Sequence, residues 1–187
     1  MTFEKTPIRD VFVITPLVRE DERGFFMESY KQDAAEAAGI KENFVQDNHS
    51  KTNIKHTIRG LHFQWDPPMG KLMRVSRGSA FLVAVDIRKG SPTLGKWFGI
   101  EATEDNKKQL YAPAGFARGF QTLSDVCEVL YKSSGLYNKN AESELNWADP
   151  EVGIQWPAAP ALLSPRDTNA KMLKDWLARP ESNFFTY

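Results

Sequence analysis

Glycine and proline recur along the whole chain and leave few long uninterrupted segments. The 187 residues include 12 glycines and 11 prolines, with no internal repeat, low-complexity tract or linker between them. Because these residues favour turns and interrupt helices and strands, the spacing predicts many short strands joined by turns. The length fits one domain, so residues 1–187 are predicted to form a single domain.

The segment Ser79 to Ile87 is apolar on both faces of a strand. Alternation puts Ala80 and Leu82 on one face and Phe81 and Val83 on the other. A strand with two apolar faces lies between two packed layers. We therefore expect this strand to lie inside the fold, between a sheet and a second covering layer.

Helices are predicted only towards the two ends of the chain. Tyr30 to Ala38 is rich in Ala, Glu and Lys and stops at Gly39, which suits a helix with a glycine cap. Ser164 to Arg179 opens on Ser-Pro and carries one apolar stripe, so it is predicted to be a single C-terminal helix. Strands between two terminal helices favour a mainly β, antiparallel sandwich or jelly roll. Small molecules bind such folds in the mouth between the sheets.

Charge and cysteine content exclude several classes of protein. The 24 basic and 24 acidic residues leave no net charge, which argues against a nucleic-acid binder. A single cysteine, Cys127, fits a reducing compartment. The longest apolar run, Ala80 to Val85, is too short for a membrane span, and the first residues lack a secretion signal. We therefore expect a cytoplasmic protein without a membrane or nucleic-acid partner.

The chain has three histidines, His49, His56 and His62. His62 lies between Leu61 and Phe63, whose side chains must share the opposite face of a strand. His62 then points either to solvent or into a cavity, and this segment alone slightly favours solvent. In a cavity it would suit a general base, because imidazole titrates near neutral pH.

Other polar residues also permit an ordinary and a chemical interpretation. Lys71 is either a solvated edge residue or a cation for an oxyanion or phosphate. Asp167 is either a helix cap or a carboxylate that orients an imidazole. Tyr131 and Tyr137 either pack in a sheet or, in a cavity, act as acids. The segment Arg23 to Glu28 is either a plain hairpin or a cradle for a base and a phosphate.

The residues offer little for a metal or cofactor. Jelly-roll metal sites need two or three imidazoles with a carboxylate, and the second residue after His62 is Gln64. One cysteine does not support a zinc site. No glycine-rich nucleotide loop is present in the sequence. These observations leave an acid–base enzyme without metal or cofactor as the sharpest hypothesis.

Short motifs follow one another along most of the chain. They are RGFF at 23–26, FVQDNHS at 44–50, RGLHFQ at 59–64, GKL at 70–72, VDIR at 85–88 with SPT at 91–93, PAGFA at 113–117 and WADP at 147–150. Each motif alone is weak, but their combination in this order is specific. By these motifs the chain, from about Ile8 to Asp167, resembles the dTDP-4-dehydrorhamnose 3,5-epimerase family, cupin-type enzymes that need no cofactor.

The resemblance implies a cupin-type jelly-roll homodimer acting on a nucleotide-linked 4-keto-6-deoxyhexose. The ketone acidifies the hydrogens on carbons 3 and 5, which a base removes and an acid replaces on the opposite face. By this resemblance His62 is the base, Asp167 orients it and Tyr131 is the acid. Lys71 stabilises the enolate oxygen, and Tyr137 stacks near the sugar.

The resemblance also implies a set of contacts to the nucleotide and diphosphate, some of them made across the dimer. These substrate-binding residues are Arg23, Phe26, Glu28, Gln46, Asp47, Asn48, Arg59, Glu142 and Arg166.

One position departs from the family pattern. The family commonly reads Gly-Phe-Ala-His-Gly-Phe, whereas residues 115–120 here place Arg118 at the histidine. Arginine is larger, permanently charged and a pure donor. Either Arg118 binds diphosphate or a sugar oxygen and alters the reaction, or it is a tolerated variant. The alternatives to a 3,5-epimerase are an enzyme inverting one centre on another nucleotide sugar, and a non-catalytic sugar-nucleotide binder.

Overall fold

The computed structural model describes residues 1–187. It contains thirteen strands, three short α-helices and two 3₁₀ turns. The strands are β1 (Thr2–Lys5), β2 (Phe12–Thr15), β3 (Val18–Asp21), β4 (Gly24–Met27), β5 (Gln46–Thr52), β6 (Ile58–Gln64), β7 (Lys71–Arg77), β8 (Ser79–Asp86), β9 (Trp97–Thr103), β10 (Gln109–Ala112), β11 (Phe116–Thr122), β12 (Cys127–Ser133) and β13 (Glu142–Glu144). The helices are α1 (Gln32–Ala37), α2 (Pro165–Thr168) and α3 (Leu173–Leu177), and the 3₁₀ turns span Lys139–Ala141 and Pro180–Phe184.

Two antiparallel sheets face each other. The six-stranded sheet has the order β1-β2-β10-β7-β12-β5, and the five-stranded sheet has the order β13-β6-β11-β8-β9. Strands β3 and β4 form a separate hairpin. The non-consecutive strand order within both sheets is that of a jelly roll, which confirms the predicted mainly β class.

The principal core lies between the two sheets. Met73 and Val129 of the six-stranded sheet meet Leu82, Phe116 and Phe120 of the five-stranded sheet. A second cluster covers the outer face of the five-stranded sheet with the C-terminal helices. A third packs α1 on the outer face of the six-stranded sheet. Each sheet is therefore buried on both sides over much of its area.

The two-faced strand predicted from the sequence is confirmed as β8. Ala80 and Leu82 enter the core between the sheets, while Val83 and Val85 pack outward beneath the C-terminal segment. The predicted N-terminal helix is also present as α1, and Gly39 beyond it has the left-handed φ of +99° expected of a glycine cap.

The single C-terminal helix predicted over Ser164 to Arg179 is wrong. The chain forms α2 and α3 with an extended break between them. In the break, the carbonyl of Lys171 accepts a hydrogen bond from the amide of Asn146, so the backbone there pairs with a neighbouring segment. A backbone paired in this way cannot continue a helical ladder. None of the helices is long and apolar enough to cross a membrane.

Candidate active site

A cavity of about 320 Å³ opens between the two sheets. Strands of both sheets and the segment leading into α2 line it. It brings together six of the residues singled out from the sequence, namely Arg59, His62, Lys71, Arg118, Tyr131 and Asp167.

His62 points into this cavity because its neighbours are committed to the opposite face. Leu61 and Phe63 are buried in the cluster beneath the C-terminal helices, at 0% and 2% exposure. Alternation along β6 then directs the imidazole inward. The interpretation as an exposed strand histidine, slightly favoured by the sequence segment, is wrong.

The His62 imidazole is bound to a buried carboxylate. Its Nε2 lies 2.6 Å from Oδ1 of Asp167, which is 2% exposed. Ser164 caps α2 at the Asp167 amide, and its hydroxyl also donates to Oδ2 of Asp167 at 2.8 Å. Burial alone would raise the pKa of the Asp167 carboxyl, but the hydrogen bonds from His62 and Ser164 hold it below its usual value.

An ionised Asp167 fixes the proton on His62. A carboxylate can only accept hydrogen bonds, so Nε2 of His62 carries the proton and Nδ1 keeps its lone pair. A neutral imidazole with one free nitrogen is a general base, and the adjacent carboxylate stabilises the imidazolium that forms. The arrangement can therefore take a proton from a group held in the cavity.

Lys71 and Tyr131 face His62 from the other sheet. They lie on the neighbouring strands β7 and β12, and Nζ of Lys71 is 5.0 Å from the centre of the Tyr131 ring. Burial, and next the nearby charge of Arg118, lower the pKa of the Lys71 ammonium to about 7. Burial raises the pKa of the Tyr131 phenol, which therefore stays protonated at neutral pH and can donate.

A polar cluster lies at the rim of the cavity. The Tyr137 hydroxyl donates to Glu142 at 2.7 Å, and Arg166 donates to Glu142 and to Glu144, both at 2.8 Å. The Tyr137 amide donates to the Oε1 of Gln46 at 3.0 Å. Glu144 was not singled out from the sequence; only its place beside His62 on paired strands brings it into this cluster.

Strand β5 divides its polar residues between two faces. Gln46 and Asn48 share one face and are hydrogen-bonded to each other at 3.0 Å. Asp47 lies on the other face, where it pairs with Lys132 at 2.9 Å. The structure therefore does not bring Asp47 to the cavity, although the sequence resemblance grouped it with its neighbours.

Three further predicted substrate residues lie away from the cavity, on or beside the β3–β4 hairpin. Phe26 is 69% exposed, and Arg23 is held only by Asp21 within the hairpin, with Nε 3.1 Å from Oδ2. Glu28 follows the hairpin and is exposed. All three are exposed, and none of them lines the cavity of its own chain.

Sequence reasoning missed several residues of the cavity lining. Ser50 and Thr57 supply hydroxyls to the lining, and Leu162 and Leu163 close one side of it. Ser164 was noted only as a helix start, where the Ser-Pro pair was the available signal. No group of three or more His, Cys, Asp or Glu side chains is arranged to hold a metal ion.

The fold and the cavity define a class: a jelly-roll enzyme that moves protons between carbon and solvent, an isomerase by reaction type. The family model of dTDP-4-dehydrorhamnose 3,5-epimerase matches residues 5–175. The chain therefore belongs to the dTDP-4-dehydrorhamnose 3,5-epimerase family, as the sequence motifs indicated.

Individual relatives agree with this assignment. The dTDP-4-dehydrorhamnose 3,5-epimerase of Shigella flexneri is 49% identical over 177 residues, covering 94% of this chain and 97% of that protein. The enzyme of Salmonella typhimurium is 49% identical over 90% of this chain and 93% of its own length. The crystal structure of a Legionella pneumophila 3,5-epimerase in complex with dTDP-4-keto-L-rhamnose superposes with a TM-score of 0.91 at 41% identity, covering 97% of this chain and 96% of that one.

Proposed function

We propose that this chain inverts carbons 3 and 5 of dTDP-4-dehydro-6-deoxyglucose to give dTDP-4-dehydrorhamnose. One observation carries the proposal: two pairs of side chains face each other across one cavity. On one side His62, the base, is bound to the carboxylate of Asp167, and on the other side Tyr131, the acid, lies beside the cation Lys71. A sugar ring held between the two sheets meets a base on one side and an acid on the other. Inversion at carbon requires that opposition.

The first half of the reaction is proton removal. Nδ1 of His62 takes the hydrogen from carbon 3 or 5, and the C–H electron pair forms a double bond to carbon 4. The carbonyl π electrons move to the oxygen on carbon 4, which becomes an enolate. Asp167 stabilises the imidazolium, and the positive charge of Lys71 stabilises the enolate oxygen.

The second half returns a proton to the opposite face. The enolate collapses to the ketone while its carbon takes the phenolic proton of Tyr131, and the phenolate and imidazolium re-equilibrate with solvent. The same steps at the other carbon complete the double inversion. These steps use only side chains of this cavity and solvent protons.

The nucleotide part of the substrate is proposed to lie along the rim. Arg59 lies at the cavity wall, held by Thr52 at 2.9 Å, where it can bind diphosphate. Tyr137, Glu142 and Arg166 form the polar cluster beside it. Gln46 and Asn48 continue this surface along β5.

The hairpin is proposed to complete the nucleotide site of a second copy of the chain. Arg23, Phe26 and Glu28 are exposed and away from the cavity of their own chain. An exposed aromatic ring beside a guanidinium suits a nucleobase and a phosphate. We therefore propose a homodimer in which each hairpin reaches the partner's cavity.

The test is hydrogen exchange in heavy water. The protein is incubated with dTDP-4-dehydro-6-deoxyglucose, and carbons 3 and 5 are followed by NMR. Deuterium at both carbons is the expected result. Deuterium at one carbon would replace the proposal with single-centre epimerisation, and none at either would overturn the activity on this substrate.

A further inference from the structure

Arg118 is a buried cation whose guanidinium is only partly used. Its side chain is 2% exposed, and Nη1 donates to the carbonyls of Ala112 at 3.2 Å and Pro113 at 3.0 Å. Nε and Nη2 have no hydrogen-bond partner. Glu42, a carboxylate whose charge acts on Arg118, accepts a hydrogen bond from Tyr111 instead. A buried charge with unsatisfied donors costs stability unless something pairs with it.

The two free nitrogens lie on one edge of the guanidinium. Nε–H and one N–H of Nη2 point the same way, so this edge can hold two oxygens or share one. Arg88 shows the same edge in use, donating from Nε to Oδ1 of Asp86 at 3.0 Å and from Nη2 to Oδ2 at 2.8 Å. In Arg118 the bonds at Nη1 fix the plane of the guanidinium and leave that edge without a partner in the chain.

The strand pairings place Arg118 beside the base. Arg118 on β11 is the register partner of His62 on β6, so the two side chains project from the same face of the sheet. Ala112, whose carbonyl accepts a hydrogen bond from Arg118, belongs to the other, six-stranded sheet, where it is the register partner of Lys71. Two cations from opposite sheets therefore approach each other next to the base.

The chemistry of the sugar decides which substrate oxygen meets these cations. The base must reach carbon 3 or carbon 5, and carbon 4 with its oxygen lies between them. The diphosphate is attached to carbon 1, on the opposite side of the ring. Cations beside His62 therefore face the carbon-4 oxygen, whereas the more exposed Arg59 and Arg166 at the rim face the diphosphate.

We propose that Arg118 and Lys71 together hold the oxygen on carbon 4 as it becomes an enolate, with the free edge of Arg118 as the fixed donor. This inference rests on the proposed epimerase function and assigns Arg118 to the sugar rather than to the diphosphate. No bond forms to Arg118: the proton passes from carbon to His62, and Arg118 donates hydrogen bonds to the oxygen that receives the negative charge. Burial lowers the pKa of Arg118 only to about 10, so it keeps its charge at neutral pH.

The test compares Arg118→Gln and Arg118→Lys with Arg77→Gln, which removes an exposed cation from the far end of β7. The exchange rate at saturating substrate and the Kd for dTDP are measured for each, with a thermal melt as a check on folding. Arg118→Gln is expected to lower the exchange rate about 10²–10³-fold, the usual cost of one oxyanion donor. The Kd for dTDP should stay within about twofold of the wild-type value. dTDP has no hexose and so lacks the carbon-4 oxygen that Arg118 is proposed to hold. Arg118→Lys keeps a charge without the two-nitrogen edge and should recover part of the rate, and Arg77→Gln should match the wild type.

A wild-type exchange rate in Arg118→Gln would overturn the inference while leaving the epimerase function intact. A loss of dTDP affinity as large as the loss of rate would also overturn it, since Arg118 would then serve the diphosphate. If Arg118→Gln does not fold, Arg118→Lys still tests the proposal. A wild-type exchange rate in Arg118→Lys would refute the proposed role of Nε and Nη2 in holding the carbon-4 oxygen. Wild-type protein that exchanges neither hydrogen would overturn the epimerase function itself, and this inference with it.

Discussion

The cavity and the β3–β4 hairpin differ in how many contacts within the chain hold their functional side chains. In the cavity, His62 is bound to Asp167, which is bound in turn to Ser164. On the hairpin, Arg23 has only Asp21 as a partner and Phe26 is 69% exposed. The groups proposed to transfer protons are therefore held in place by other side chains of the same chain, whereas the hairpin side chains have few contacts within it.

Burial explains why the difference matters. Hydrogen bonds between buried charged groups are stronger than those in water and hold a fixed geometry. An exposed ion pair such as Arg23–Asp21 contributes little and does not fix its side chains. Substitutions in the cavity should therefore change the rate of chemistry, and substitutions on the hairpin should change affinity.

The largest expected effect is on the rate after His62→Ala. Removing the base should lower hydrogen exchange about 10²–10⁴-fold, the usual contribution of a general base, while dTDP affinity is retained. His49→Ala is the matched control, because His49 is an exposed histidine paired with Glu128 outside the cavity. Full exchange in His62→Ala, measured by NMR in heavy water, would remove His62 from the role of base.

A smaller effect, on affinity rather than on rate, is expected for Phe26→Ser. Loss of a stacking ring should weaken dTDP binding about two- to tenfold, in line with the ~0.5–1.5 kcal/mol of aromatic pairs, and leave the rate at saturation unchanged. Phe184→Ser is the control, since Phe184 is 57% exposed on the C-terminal segment. Calorimetry gives the Kd, and sedimentation gives the oligomeric state. An unchanged Kd in a protein that remains dimeric would contradict the role given to the hairpin.

The last prediction concerns the free energy of unfolding and tests how deeply the cavity buries Lys71. Its folded pKa is about 7, below the ordinary lysine value of 10.5. Between these values the unfolded chain binds a proton that the folded protein does not, so the free energy of unfolding rises with pH. Lys71→Met removes this term, and its stability relative to wild type should be greatest below pH 7 and decline towards pH 10.5.

Urea unfolding at several pH values measures this effect. A pKa difference of one is worth about 1.4 kcal/mol, so a folded pKa of about 7 sets an upper limit of about 5 kcal/mol on the pH-dependent difference. Lys51→Met on β5 removes an exposed lysine and controls for the change in side-chain chemistry. A stability difference for Lys71→Met that is constant with pH would show that Lys71 is charged and solvated in the folded protein.

Alternation of apolar residues predicted part of the fold well. The segment 79–87 has apolar residues on both faces, and it became the doubly buried β8. Strands β5 and β7 are less evident in the sequence, because polar side chains on them face the cavity or solvent. The prediction of a single C-terminal helix was wrong for a different reason. Lys171 pairs with a segment distant in sequence, and local periodicity carries no information about such a contact.

The candidate site was predictable where burial forced a direction. Because Leu61 and Phe63 must be buried, His62 could point only to solvent or into a cavity. The sequence did not decide between these two environments. Asp167 lies 105 positions further along the chain, and only the resemblance linked it to His62. Asp47 shows the opposite limit, since its motif suggested substrate contact and its strand position turns it to the outer face.

The proposed reacting groups are divided between the two sheets, so the distance between the sheets sets the distance between the proposed base and acid. His62 and Arg118 belong to one sheet, and Lys71 and Tyr131 belong to the other. Side chains between the sheets act as spacers, and a displacement of about 1 Å can cost about 10² in rate. Residues such as Phe116 and Val129 pack between the sheets and do not line the cavity, yet their size would influence the stereochemical outcome by setting the distance between the proposed base and acid.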